Sequence, residues 1–215
     1  MIPIDKIIDI SMEISQEMTV YKNREENRPK IEVTRNFKNS DAFETTMTLG
    51  MHTGTHLDRP LHIIEDGDTM DSLSLERVVV PCQVLDLTKV QGGITKEDLA
   101  KKRIPKGHFI LLKTRNSFEE DFNFSFVYLA ASGANYLKDQ GVIGVGIDAL
   151  GIERDQPDKS THKALLENDI MILEGLRLKE AEEEEYLLIA APLKIKGAEA
   201  APVRAMLVKL WKGES

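Results

Sequence analysis

At 215 residues, 41% apolar and 30% charged, the chain is long enough to bury a sizeable core and short enough to form one domain over 1–215. A formal charge of -8 supplies no basic footprint for displacing counterions, so it excludes a general nucleic-acid or anionic-membrane binder and leaves a small molecule as the expected partner. The longest apolar run, YLLIAAPL at 186–193, is too short to cross a bilayer, and MIPIDKIIDI lacks the basic start and long apolar stretch of a secretion signal, so a cytoplasmic protein is expected.

In chain order, KIIDIS (6–11) reads as the opening strand. FETTMTLG (43–50) alternates strictly, with Phe43, Thr45, Met47 and Leu49 on one face, as a half-buried strand would. VVVPCQVLDL (78–87) is a β-branched run that places the lone Cys82 in the core as an inert thiol. TKEDLAKK (95–102) opens a helix with Thr95 and Asp98 at capping-box spacing, and HFILLK (108–113) follows as a strand with His108 at its edge. SGANYLKDQG (132–141) predicts a helix stopped by Gly141, and STHKALLEN (160–168) one capped by Ser160. VIGVGID (142–148) and YLLIAA (186–191) are nearly continuous and predict strands buried on both faces. DIMILEG (169–175) and VRAMLVKLW (203–211) are further strands, and EAEEEE (180–185) is a solvated edge or loop. With strands dominating and no internal repeat or long linker, the fold class is α/β or α+β around a mixed sheet.

HTGTHLDRPLH, residues 52–62, holds three of the five histidines. A helix would turn Asp58 away from His52 and His56, and Pro60 opposes helix at Arg59. A straight strand would share one face among His52, His56, Asp58 and His62 but leave His52 and His56 about 13 Å apart. A bent segment is required, and Gly54 permits the bend because it adopts positive φ without a Cβ clash. Imidazole nitrogens and a carboxylate gathered by such a bend suit zinc or a related first-row cation with an open coordination position. The segment lacks both the glutamate of H-E-x-x-H and an H-x-H pair. His162, in the expected first turn of a helix, sits where the dipole favours the neutral ring that a metal needs. Glu174, ending the apolar run IMIL, is equally readable as a ligand or as a strand end meeting solvent.

HTGTHLDRPLH, followed by GID at 146–148, HKALL at 162–166 and ILEGL at 172–176, resembles the cyclase-type metal-dependent hydrolases that include bacterial kynurenine formamidase and isatin hydrolase. KIIDIS resembles the opening strand of that family, VVPCQVLDL the strand after its metal loop, and APVRAML its closing segment. The resemblance implies a swivelling β/β/α-type fold, a homodimer or homotetramer, and one or two Zn2+ or Mn2+ ions. It implies His52, His56, Asp58, His162 and Glu174 as metal ligands, with Asp58 and Glu174 able to bridge a pair of ions, and His62 as general acid/base. The formamidases carry a P-V-W-P-G-D segment whose tryptophan lines the substrate pocket. Here MTVYKNRE (18–25) puts Tyr21 in that place, and GAEAAPVRA (197–205) departs from a glycine and serine common before the proline. The implied activity is hydrolysis of an amide, formamide or cyclic amide or ester by activated water, with N-formylkynurenine the first substrate to try. A metal-dependent lyase, isomerase or cyclase, and a non-catalytic metal-binding protein, are the other readings of the same residues.

Overall fold

Every apolar run singled out above except FETTMTLG enters one curled sheet. In chain order the strands are β1 (Ile4–Asp9), β2 (Lys30–Arg35), β3 (Glu44–Thr48), β4 (His56–Asp58), β5 (Val79–Asp86), β6 (Gly93–Ile94), β7 (Phe109–Lys113), β8 (Tyr128–Leu129), β9 (Gly144–Ile147), β10 (Met171–Glu174), β11 (Glu185–Ile189), β12 (Ala200–Pro202) and β13 (Met206–Leu210). The helices are α1 (Lys96–Leu99), α2 (Ala131–Gln140) and α3 (Ser160–Leu166). This computed structural model describes residues 4–210, and Trp211, expected to end the last strand, lies outside them.

The sheet order is β1-β13-β11-β5-β7-β9-β10-β4-β12. β5, β7, β9 and β10 run parallel, and antiparallel pairs flank them on both sides. The parallel pairs force crossovers, and α2 lies between β7 and β9 as α3 does between β9 and β10. Residues of alternate parity fill two cores. Leu85, Ile110, Leu112, Val145, Ile147 and Ile172 pack with the helices on one face, while Val80, Cys82, Val84, Phe109, Leu111 and Leu173 pack on the other. The second core also contains Leu57 and Ala201 from one end of the sheet and Ile8 and Leu207 from the other, so the sheet curls around it. Only residues 203–205 separate β12, at one edge, from β13, beside the opposite edge, and the Ile10 N–H bonds to the Ala205 carbonyl to tighten this closure.

Thr95 and Asp98 form the capping box of α1, and Gly141 ends α2 in the left-handed conformation. β9 is buried at all four positions. β11 is not: its pattern alternates, with Tyr186 and Leu188 buried and Leu187 and Ile189 only partly so. Ser160 is not the cap of α3. Lys159 occupies that position at φ 53, and the Ser160 hydroxyl donates instead to the side-chain amide oxygen of Gln156. FETTMTLG is also corrected: β3 pairs with β2 in a separate two-stranded hairpin and is exposed throughout. Its alternation was real, but among the described residues no layer covers its apolar face.

Candidate metal centre

The HTGTH segment bends at its glycine, as expected, and then enters a strand at His56. Gly54 takes φ +65 and turns the chain into β4, a three-residue strand wedged between β10 and β12. The strand parity puts His56 and Asp58 on one face. Register then sets His56 opposite Glu174 of β10 and Asp58 opposite Ala200 of β12. Just past the turn at Arg59, residues Pro60–His62 form one turn of 3-10 helix that swings His62 back over the cluster. A second stitch joins β4 to the end of β10. The Thr55 hydroxyl donates to the Gly175 carbonyl at 2.6 Å and accepts from the Met12 N–H at 2.7 Å. Gly175 itself lies at φ +69 with the Gly54 carbonyl oxygen 2.3 Å from where a Cβ would stand, so backbone meets backbone there.

The result gathers every histidine of the sequence motif together with His162 and Glu174. His52 Nδ1 lies 3.0 Å from Asp58 Oδ1, and His56 Nε2 lies 3.6 Å from the same oxygen and 3.3 Å from Glu174 Oε2. His162 Nε2 stands 3.8 Å from Glu174 Oε1. The His62 ring centroid is 4.4 Å from that of His52 and 5.5 Å from that of His162. Two donor sets are compact enough for one cation each, His52/His56/Asp58 and Asp58/His62/His162, with Asp58 common to both. Glu174 is not an exposed strand end. It is buried, and the Ile152 N–H donates to its Oε1 at 2.5 Å.

Charge and burial test whether a cation fits. His56 Nε2 and both oxygens of Asp58 are fully buried and, despite the short approaches above, form no aligned hydrogen bond. Orphaned acceptors of this kind are costly unless something binds them, and a divalent metal is the group that these donors fit. Burial would drive a proton off His56, but Glu174 and Asp58 outweigh it and hold the His56 pKa up at about 9. Burial would raise Asp58, yet the His52, His56 and His62 rings hold its carboxyl well below the usual range. His162 departs from the expected dipole effect: burial favours the neutral ring, but Glu153 and the carboxylates of Glu174 and Asp58 raise its pKa. His62 goes the other way, lowered chiefly by burial and by the neighbouring His52 and His162.

A cavity of about 930 Å³ opens above the cluster, lined by His52, His62, His162 and Glu174 at its floor and by Tyr21 and Leu150 on its walls. Tyr21 therefore reaches the pocket, where its ring packs edge-on against Phe122 at 5.4 Å. Two residues at the site escaped the sequence reading. Glu153 bonds His162 Nδ1 at 2.5 Å, and Glu199 Oε1 lies 3.3 Å from His52 Nε2. Glu153 stands in the irregular stretch GIERDQPDKS, with no periodicity to mark it as buried. Glu199 carried one signal, its place in the departing GAEAAP segment. His108 stays outside the cluster, as expected, bonding the Lys106 carbonyl.

A curled mixed sheet with a buried His/Asp/Glu cluster under a ligand-sized cavity defines a protein built to hold a divalent metal. The family model described as "Putative cyclase" matches residues 8–154, and the chain belongs to that family. It is 34% identical over 204 residues to a kynurenine formamidase of Salinibacter ruber, covering 94% of this chain and 96% of the relative. A "predicted metal-dependent hydrolase" of Bacillus stearothermophilus superposes with TM-score 0.87 at 45% identity, covering 94% of this chain and 98% of that one. Isatin hydrolase A of Labrenzia aggregata shares the fold, with TM-score 0.84 at 21% identity over 96% and 94% of the two chains.

Proposed function

We propose that this chain is a metal-dependent hydrolase that cleaves a C–N bond other than a peptide bond, in an amide, formamide or cyclic amide, in the manner of an arylformamidase. The observation that carries the reading is the set of buried ligand atoms on His56 and Asp58 that lack a hydrogen-bond partner among the described residues, beneath an open cavity. Its relationship to the kynurenine formamidase and metal-dependent hydrolase supports the reaction class. His52, His56, Asp58, His162 and Glu174 hold one or two Zn2+ or Mn2+ ions, and the support for a cation is that His52, His56 and Asp58 already form a compact donor set, with His162 and Glu174 beside it. When bound, such a cation lowers the pKa of a water toward neutrality and polarises a carbonyl.

His62 is the proton carrier. Its depressed pKa leaves the ring neutral near pH 7, able to take a proton and return it to the leaving nitrogen. Tyr21 and Leu150 form the wall against which an aromatic substrate packs. The enzyme acts as one domain, in the cytoplasm, on a small molecule. It assembles as a homodimer or homotetramer, supported by the hairpin side chains Val33, Phe37, Phe43 and Met47, whose exposure runs from 47% to 76%. Among the described residues, no helix is long and apolar enough to cross a membrane.

The test is a hydrolysis screen over aryl formamides, cyclic amides and lactones in heavy-oxygen water, using metal-loaded and stripped protein. Activity should vanish on stripping, return with Zn2+ or Mn2+, and place one solvent oxygen in the product. Undiminished activity after stripping overturns the metal reading, and turnover without solvent oxygen points to a lyase, isomerase or cyclase instead.

A further inference from the structure

Two adjacent residues between β9 and α3 reach both distant members of the cluster. The Ile152 N–H donates to Glu174 Oε1, and the Glu153 carboxylate meets the His162 ring at Nδ1. We propose that Glu153 is a positioning residue: it fixes His162 as the Nδ1–H tautomer, so that the bare Nε2 lone pair faces the cation. This inference rests on the reading of His162 as a metal ligand.

Glu153 is itself tightly held, only 8% exposed. Its Oε2 accepts from the Thr161 N–H at 2.9 Å and from the Gln156 side-chain amide at 3.0 Å, which leaves Oε1 for the imidazole. That amide also donates to the Thr161 hydroxyl, which in turn donates to the Leu129 carbonyl at 2.8 Å. The Leu129 N–H closes the loop on the Ile152 carbonyl at 2.8 Å. The carboxylate therefore cannot rotate without stranding two donors on its Oε2 side. A carboxylate is acceptor-only when ionised, so the neutral ring that faces it must carry its proton on Nδ1. The other nitrogen, Nε2, points to Glu174 and the cluster. A carboxylate behind a ligating histidine both orients the ring and raises its basicity, and loss of such a partner typically costs about 10–100-fold in metal affinity.

The isosteric change Glu153→Gln separates this role from simple packing. The Thr161 N–H and the Gln156 amide both demand an acceptor, so the new amide must present its oxygen to them and its NH2 to His162 Nδ1. The ring then accepts at Nδ1 and carries its proton on Nε2, facing the cation site with the wrong group. Zn2+ affinity of the stripped protein, measured by competition with a chromogenic chelator, should fall about 10–100-fold in Glu153→Gln. Glu153→Asp, which keeps an ionised acceptor, should recover part of that loss. Nitrogen-15 spectra of the stripped protein at a pH where the ring is neutral should show His162 as Nδ1–H in the wild type and Nε2–H in Glu153→Gln. A wild-type Nε2–H tautomer overturns the inference whatever the variants do, as does Glu153→Gln with unchanged Zn2+ affinity. His162→Ala serves as the reference. Zn2+ affinity unaltered in it would sink the ligand reading itself, whereas a loss there without one in Glu153→Gln would sink the positioning role alone.

Discussion

His52, His56, Asp58 and His62 come from eleven consecutive residues and are set by backbone, whereas His162 and Glu174 come from α3 and β10 and are held by hydrogen bonds from a third segment. In the near half, the positive φ of Gly54, the register of β4 against β10 and β12, and the turn at Pro60–His62 decide where each ring points. In the far half, the Ile152 N–H and the Glu153 carboxylate do that work. The two halves meet where Thr55 bonds Gly175 and the Gly54 carbonyl presses on Gly175. A local motif thus supplies most of the donors, and long-range contacts complete the cluster.

Breaking the near half should have the largest effect. Asp58→Ala removes the carboxylate common to both donor sets, and elemental analysis should find the purified protein nearly empty of metal, with turnover lost. Retained metal and turnover would show that Asp58 is not a ligand. His62→Ala should lower turnover by about two to four orders of magnitude while leaving metal content near wild type. Metal lost along with His62 would instead place this ring among the ligands, as the Asp58/His62/His162 set allows.

The seam comes next. Gly175→Ala forces a Cβ against the Gly54 carbonyl at a positive φ, and should cost roughly 3 kcal/mol of stability, read from denaturant unfolding of the stripped protein. A change within a few tenths of a kcal/mol would mean that the two backbones separate without penalty. The smallest effect concerns protons. His56 has a folded pKa raised from 6.5 to about 9, so in stripped protein its contribution to stability is full below pH 6.5 and is lost as pH rises through 9. A cation needs the neutral ring, so the gap in Tm between Zn2+-loaded and stripped protein should widen from pH 6.5 to 9. A gap that narrows over that range would contradict the protonated His56.

The strands of the mixed sheet and the bend of the near half were legible in the residues because their signals are local. Continuous apolar runs become the parallel strands, Thr95 and Asp98 form their reciprocal cap, and a glycine between two histidines turns the chain as its lack of a Cβ allows. FETTMTLG misled for the converse reason. Alternation reports that a strand has two faces, but not that a layer of the same chain lies over one of them. Lys159 displaced Ser160 as the cap of α3 because Gln156, four residues back, competes for the serine hydroxyl.

The sequence alone determined the chemistry: which donors the motif offers, and that the segment holding most of them must bend. Tertiary structure decided which atoms of those donors face one another. Glu153 and Glu174 act from 101 and 122 residues past His52, and no periodicity announces such pairs. Their positions are set by which strands lie side by side in the sheet, a global balance of packing that a short stretch of chain does not encode.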